Sequence, residues 1–180
     1  MNAAQVAVHV ATRLDEDGIP YAIGGALALG TWGAPRATSD VDLSVFSSKQ
    51  ELAKISDALE RAGMMFDRSA AAKDVDRIGL FKGFIGRTRV DIFMSDHPHM
   101  SDMHRRRICI DGLWFISAED LTVMKLIYGR DKDLIDLERL FAVRPQLDVV
   151  YVRHWLDQMV PAGDRRHVTL EDLARRFLNR

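Results

Sequence analysis

Two aspartates separated by one valine, Asp40-Val41-Asp42, head a stretch that continues Leu43-Ser44-Val45-Phe46. A second stretch, Arg89-Val90-Asp91-Ile92-Phe93, sets one more acid between β-branched residues. Along a strand, side chains alternate between faces. Asp40, Asp42 and Ser44 therefore share one face, and Val41, Leu43 and Val45 the other. Asp91 likewise stands opposite Val90 and Ile92. If the two segments lie side by side, three carboxylates converge. Carboxylates that close either take up a proton or hold a cation, and hard oxygen ligands select Mg²⁺, with Mn²⁺ as a substitute. A two-metal site of this kind can orient an attacking hydroxyl and stabilise a departing pyrophosphate. The plainer alternative makes Asp40 and Asp42 an acidic strand edge or N-cap, and Asp91 an exposed strand residue.

Gly24-Gly25 lies upstream, between a short apolar run and a small-residue segment. Glycine lets a backbone approach a ligand without a Cβ in the way. A helix start behind it offers unpaired N–H groups suited to phosphate oxygens. Ordinary turn chemistry explains such a pair equally simply; the nearby acids are what give it meaning. Arg36 suits either a phosphate contact or a surface ion pair with an acid. Thr38 and Ser39 suit local hydrogen bonds ahead of Asp40.

The elements that must position these residues follow from periodicity. Residues 4–14 carry apolar groups at helical spacing and end at Asp17-Gly18-Ile19-Pro20. Residues 21–23 form a short buried strand, 26–29 a helix, and 41–46 a strand. Ser48-Lys49-Gln50-Glu51 is a capping box that opens a helix to about residue 61. Strands are expected over 78–84 and 89–94, then over 107–110 and 113–116 around Asp111-Gly112, a strong hairpin signal. The segment 97–104 reads as a polar loop. From Ser117 the pattern turns helical: a capped helix through Leu121, Met124 and Leu126, and a break at Gly129. A second helix carries Leu134, Leu137, Leu140 and Phe141. A third carries Val149 to Met159, and a last one is capped at Thr169. The expected fold is α+β (α/β), a mixed sheet flanked by helices over residues 1–116. A C-terminal helical segment, 117–180, is expected to pack on that core.

Composition narrows the field without naming a partner. The 180 residues carry a net charge of −1, so no polyanion is implied by charge alone. The lone Cys109 cannot form an internal disulfide, which points to a reducing cytoplasm. No apolar run approaches the length of a membrane span, and residues 1–15 lack the features of a signal peptide. The His97, His99 and His104 group lacks the cysteines or tight pairing of a zinc site. Arg105-Arg106-Arg107 is read first as a solvated strand start.

On these residues the chain resembles the nucleotidyltransferase superfamily that shares its palm-like fold with DNA polymerase beta. That pattern is a Gly-Gly or Gly-Ser turn, a helix, Asp-x-Asp on a strand and a third acid on a later strand. Here it is Gly24-Gly25, Asp40-Val41-Asp42 and Asp91. Gly25 stands where many members carry serine, which leaves the cradle to backbone N–H groups. The stretch SAEDLTVMKLIYGRDKDLIDLERL, residues 117–140, is similar to the helical segment of AbiEii-type toxin nucleotidyltransferases. There a helix lysine and a following Arg-x-Lys-Asp-Leu-x-Asp-Leu stretch line the nucleotide pocket. The matching positions are Lys125, then Arg130, Lys132, Asp133 and Asp136. From the residues alone, Lys132 and Asp136 also fit a helical i,i+4 ion pair.

The resemblance implies a Mg²⁺-dependent transfer of NMP from an NTP to an acceptor hydroxyl. Asp40, Asp42 and Asp91 would be both metal ligands and catalytic groups. Gly24, Gly25, Arg36, Thr38, Lys125, Lys132 and Asp136 would bind nucleotide. A toxin-like acceptor would be tRNA or protein, with a cognate antitoxin as partner. The alternatives are an aminoglycoside-type small-molecule acceptor, or a silent nucleotide-binding or partner-binding module.

Overall fold

The computed structural model describes residues 1–178. These fall into two compact units, residues 1–27 with 37–116, and residues 28–36 with 117 onward. The sequence reading placed a single division at 116. Residues 28–36 instead join the helical unit, and their packing explains it. Ala28, Leu29, Trp32 and Ala34 are buried, the Arg144 guanidinium sits 5.2 Å over the Trp32 ring, and Arg36 is ion-paired to Asp136.

The first unit begins with α1 (Ala3–Glu16). Asn2 and Gln5 close a reciprocal capping box at its start. Its apolar stripe, Val6, Ala7, Val10, Ala11 and Leu14, is buried. β1 (Tyr21–Ile23), the start of α2 (Gly25–Thr31, which belongs to the second unit from Ala28 on) and β2 (Asp40–Val45) follow. The Ser48–Glu51 capping box forms at a short 3-10 turn that leads into α3 (Leu52–Arg61). Two helices then appear where none was expected. α4 (Arg68–Ile78) starts at Asp67, whose carboxylate accepts from the Ala70 N–H, and it takes up Ile78, which had been expected to begin a strand. α5 (Pro98–Arg106) occupies the expected polar loop, with His97 as N-cap and proline at the first helical position.

β3 (Leu80–Ile85) and β4 (Thr88–Phe93) form a hairpin, and so do β5 (Ile108–Ile110) and β6 (Leu113–Phe115). Asp111 and Gly112 both take positive φ between the latter two, as a tight two-residue hairpin turn requires. The six strands make one mixed sheet in the order β3-β4-β2-β1-β6-β5. β2 runs parallel to β4 and β1 parallel to β6; the other pairs are antiparallel. Val41, Leu43, Phe81, Val90 and Ile92 line the buried side of the sheet.

The second unit holds α6 (Ala118–Tyr128), α7 (Asp131–Val143), α8 (Val149–Met159) and α9 (Arg165–Phe177). Ser117 caps α6, accepting from the Asp120 N–H and donating to the Asp120 carboxylate. Tyr151 donates to the same carboxylate at 2.6 Å. α9 starts at Asp164 rather than at Thr169, because the Asp164 side chain accepts from the Arg166 N–H one turn earlier. Among the described residues, no helix is long and apolar enough to cross a membrane.

Candidate active site

The pairing of β2 with β4 brings the acids together. Asp42 stands opposite Asp91, and Asp40 opposite Arg89. β3 extends both rows, with Lys82 opposite Asp91 and Phe84 opposite Arg89. One face of three adjacent strands thus carries two cross-strand rows, Lys82–Asp91–Asp42 and Phe84–Arg89–Asp40. The alternation read from β2 sets this face, and the apolar residues between the acids anchor the other.

Asp91 is the most enclosed of the three acids, 7% exposed. Burial raises its pKa above the ordinary carboxylate range. The charges of Arg89 and Lys82 oppose that rise, and nearby Asp40 adds to it. Arg89 reaches across two strands. Its Nη2 lies 2.8 Å from Asp40 Oδ2 and its Nε 3.0 Å from Asp91 Oδ1. The second approach is a charge contact without an aligned hydrogen bond: both atoms are buried and neither has a well-directed partner.

Among the described residues, no three His, Cys, Asp or Glu side chains already converge into a cation cage. The donor set still suits a hard divalent ion. It consists of carboxylate oxygens, and one of them, Asp91 Oδ1, is buried with its hydrogen-bonding capacity unfilled. Arg89 occupies the space between Asp40 and Asp91.

The Gly24-Gly25 turn is joined to Asp42 directly. The Gly24 N–H donates to the Asp42 carbonyl at 2.8 Å. At Gly25 φ is +55°, and a Cβ there would run into the Asp42 carboxylate. Only glycine allows the carboxylate to lie against this backbone. Thr38 hydrogen-bonds locally, exchanging bonds with the Asp40 N–H and carbonyl at 3.2 and 3.1 Å. Ser39 donates to Asp40 Oδ1.

In the second unit, Lys125, Asp133 and Asp136 form a buried ion cluster that the partly exposed Arg36 and the exposed Arg130 join from its edge. Lys125 Nζ donates to Asp136 at 2.6 Å and sits 3.4 Å from Asp133. Arg36 Nε is shared between both Asp136 oxygens at 2.9 and 3.1 Å. Arg130 caps α7 through Asp133 at 2.6 Å. Burial alone would raise the Asp133 pKa; the Arg130 hydrogen bond and the Lys125 charge outweigh it and hold the pKa below the usual value. The Lys125 and Asp136 side chains are 6% and 1% exposed. Lys132 lies exposed on α7, and Asp136 pairs with Lys125 and Arg36.

No protein-family model matches the chain, and no curated protein matches it in sequence. Solved structures do match in fold. The solution structure of the antibiotic-resistance factor ANT(2'')-Ia overlays with a TM-score of 0.61 at 17% identity, over 98% of this chain and 100% of that one. The fold is nucleotidyltransferase-like. The crystal structure of JHP933 from Helicobacter pylori gives 0.56 at 13% identity, over 98% of this chain and 90% of that one. ANT(2'')-Ia in complex with adenylyl-2''-tobramycin gives 0.51 at 15%, over 97% and 99%.

Sequence reasoning passed over two members of the carboxylate face. Arg89 was treated as the start of a strand, yet its place two residues before Asp91 puts it on the acidic side by the same alternation. Lys82 needed the β3–β4 register, which the short Gly86 turn hints at and only the pairing fixes.

Proposed function

We propose that this chain is a metal-dependent nucleotidyltransferase that moves an NMP from an NTP to an acceptor hydroxyl and releases pyrophosphate. The observation that carries this reading is the register of Asp42 with Asp91 on adjacent parallel strands, with Asp40 on the same face and the Gly24-Gly25 turn against Asp42. Asp40, Asp42 and Asp91 hold Mg²⁺, with Mn²⁺ as a substitute. The bound ion supplies Lewis acidity to the phosphoryl oxygens. Asp91, enclosed and facing Asp42 from the neighbouring strand, would take the proton of the acceptor hydroxyl. The Gly24-Gly25 backbone presents N–H groups to phosphate oxygens.

The resemblance of residues 117–140 assigns Lys125, Lys132 and Asp136 to nucleotide binding; Arg36 and Thr38, ahead of Asp40, are assigned there as a phosphate contact and a local hydrogen-bonding group. In that reading Lys125 acts at second hand, fixing Asp136 and through it the half-exposed Arg36, while exposed Lys132 is a mobile point charge suited to phosphate. Thr38 shapes the start of β2.

Two acceptor classes follow from different observations. The AbiEii-like segment favours a tRNA or protein acceptor and a cognate antitoxin. The full-length overlay on ANT(2'')-Ia favours a small-molecule acceptor of the aminoglycoside kind. The exposed, free Cys109 suits a reducing cytoplasm. The test is incubation of purified protein with α-labelled NTPs and Mg²⁺, offering total RNA, cell protein or an aminoglycoside in turn. Label in RNA or protein selects the toxin-like acceptor, and label on the drug selects the small molecule. No label and no pyrophosphate with any acceptor overturns the enzyme reading in favour of a binding module.

A further inference from the structure

We propose that Arg89 is the resident counter-ion of the carboxylate face and that it gives up this place to a divalent cation, so that its release sets the metal affinity. The inference rests on the metal-dependent reading above. Arg89 stands directly opposite Asp40 and two residues before Asp91, so its stem rises on the acidic side between the two strands. Its planar fork touches one carboxylate from each, Asp40 at 2.8 Å and Asp91 at 3.0 Å.

The two contacts differ in quality. The Asp40 contact is a directed, charge-assisted hydrogen bond. The Asp91 contact brings opposite charges close but leaves Nε and Oδ1 without alignment. A monocation held in that way offsets carboxylate repulsion without filling the oxygen lone pairs. A divalent ion fills them better. The Arg89 side chain is 37% exposed and can swing into water, while Asp91 is enclosed and cannot follow it. The exchange therefore moves the arginine and leaves the acids in place.

Two variants, Arg89→Gln and Arg89→Lys, separate three readings: losing a merely nearby charge tightens binding in Arg89→Gln but leaves Arg89→Lys at wild type, whereas losing a competing fork tightens binding in both, and losing a brace tightens neither. If Arg89 only braces the strands, its loss leaves metal binding unchanged or weaker, because the acids become disordered. If it competes, its loss strengthens binding. Free Mn²⁺ can be counted by electron paramagnetic resonance in titrations of the whole chain without nucleotide. The proteins compared are the wild type, Arg89→Gln, Arg89→Lys and the exposed-turn control Arg87→Gln.

The expected result is about tenfold tighter Mn²⁺ binding by Arg89→Gln, the low-end equivalent of one charge-assisted hydrogen bond. Arg89→Lys, which loses the fork but keeps the charge, falls between, and the control matches wild type. The Tm of Arg89→Gln also drops in EDTA and rises more on adding Mn²⁺ than that of wild type. Wild-type binding with equal or weaker binding by Arg89→Gln, or with Arg89→Lys at the wild-type value, overturns the role of Arg89 and leaves the metal site standing. If the Gln variant does not fold, equal or weaker binding by Arg89→Lys is the overturning result. No Mn²⁺ binding by the wild type or either Arg89 variant overturns the metal reading itself.

Discussion

Replacing Lys125 with methionine removes the central cation of the buried cluster while keeping most of the volume of its stem. The loss is therefore electrostatic. Removing one partner of a buried ion pair typically costs about 3–5 kcal/mol, because the other charge is stranded. Here neither acid is fully stranded: Asp136 keeps Arg36 at 2.9 Å, and Asp133 keeps Arg130 at 2.6 Å. The expected cost is thus lower, about 2–3 kcal/mol. For a chain of this size that corresponds to a fall in Tm of about 4–12 °C. Urea unfolding should show a lower midpoint with an unchanged slope, since the surface exposed on unfolding is the same. Adding Asp136→Asn to Lys125→Met should cost less than the sum of the two single changes, because a neutral amide no longer needs the lysine. A Lys125→Met protein within about 0.5 kcal/mol of wild type, the range of ordinary surface changes, would refute the reasoning. It would show that the ammonium is not held by Asp133 and Asp136 in solution and is free for other work.

Three further outcomes are expected. Asp91 has a raised folded pKa, so its stabilising contribution is complete below the unfolded value of about 3.9 and is lost as pH rises through the folded pKa. Asp91→Asn should accordingly melt higher than wild type at neutral pH without metal, with the gap closing as pH falls toward 4; a lower Tm at neutral pH contradicts this. Gly25→Ala drives a Cβ into Asp42 and forces a left-handed backbone on alanine, so it should lose about 1–3 kcal/mol in unfolding assays along with nucleotidyl transfer. A variant with full turnover would separate this turn from the chemistry. Asp42→Asn should abolish Mg²⁺-dependent transfer while keeping the wild-type circular dichroism spectrum, and retained activity would count against the carboxylate assignment.

Much of the fold was legible because local signals agreed with the long-range arrangement. The alternation Val41, Leu43, Val45 gave β2 its two faces, Asp111-Gly112 its hairpin, and Ser117 the start of α6. The missed elements had signals of a kind that hydrophobic periodicity overlooks. α4 is mostly polar, and its mark is the Asp67 cap before a run of helix-forming alanines. α5 buries only His99 and Met103, and its mark is proline directly after a capping residue. The site was legible only up to register. Alternation put Asp91 on one face of its strand, but whether it met Asp42 or a neighbour depended on a parallel pairing between segments far apart in sequence. The Lys125 cluster was read through a family pattern as phosphate-binding. Its burial and its bond to Arg36 arise from packing that no short motif encodes.

The parallel union of β2 and β4 also carries a temporal consequence. Asp40 and Arg89, joined across these strands, are 49 positions apart in the chain. A parallel pair cannot close through a tight turn; it needs a crossover, here supplied by α3, α4 and β3. Contacts between such distant positions form slowly, because the intervening chain must be ordered first. During translation, then, Asp40 and Asp42 emerge well before their partner strand exists. The carboxylate face cannot assemble until the ribosome has released residues through Phe93, and any chemistry that depends on it waits for that step.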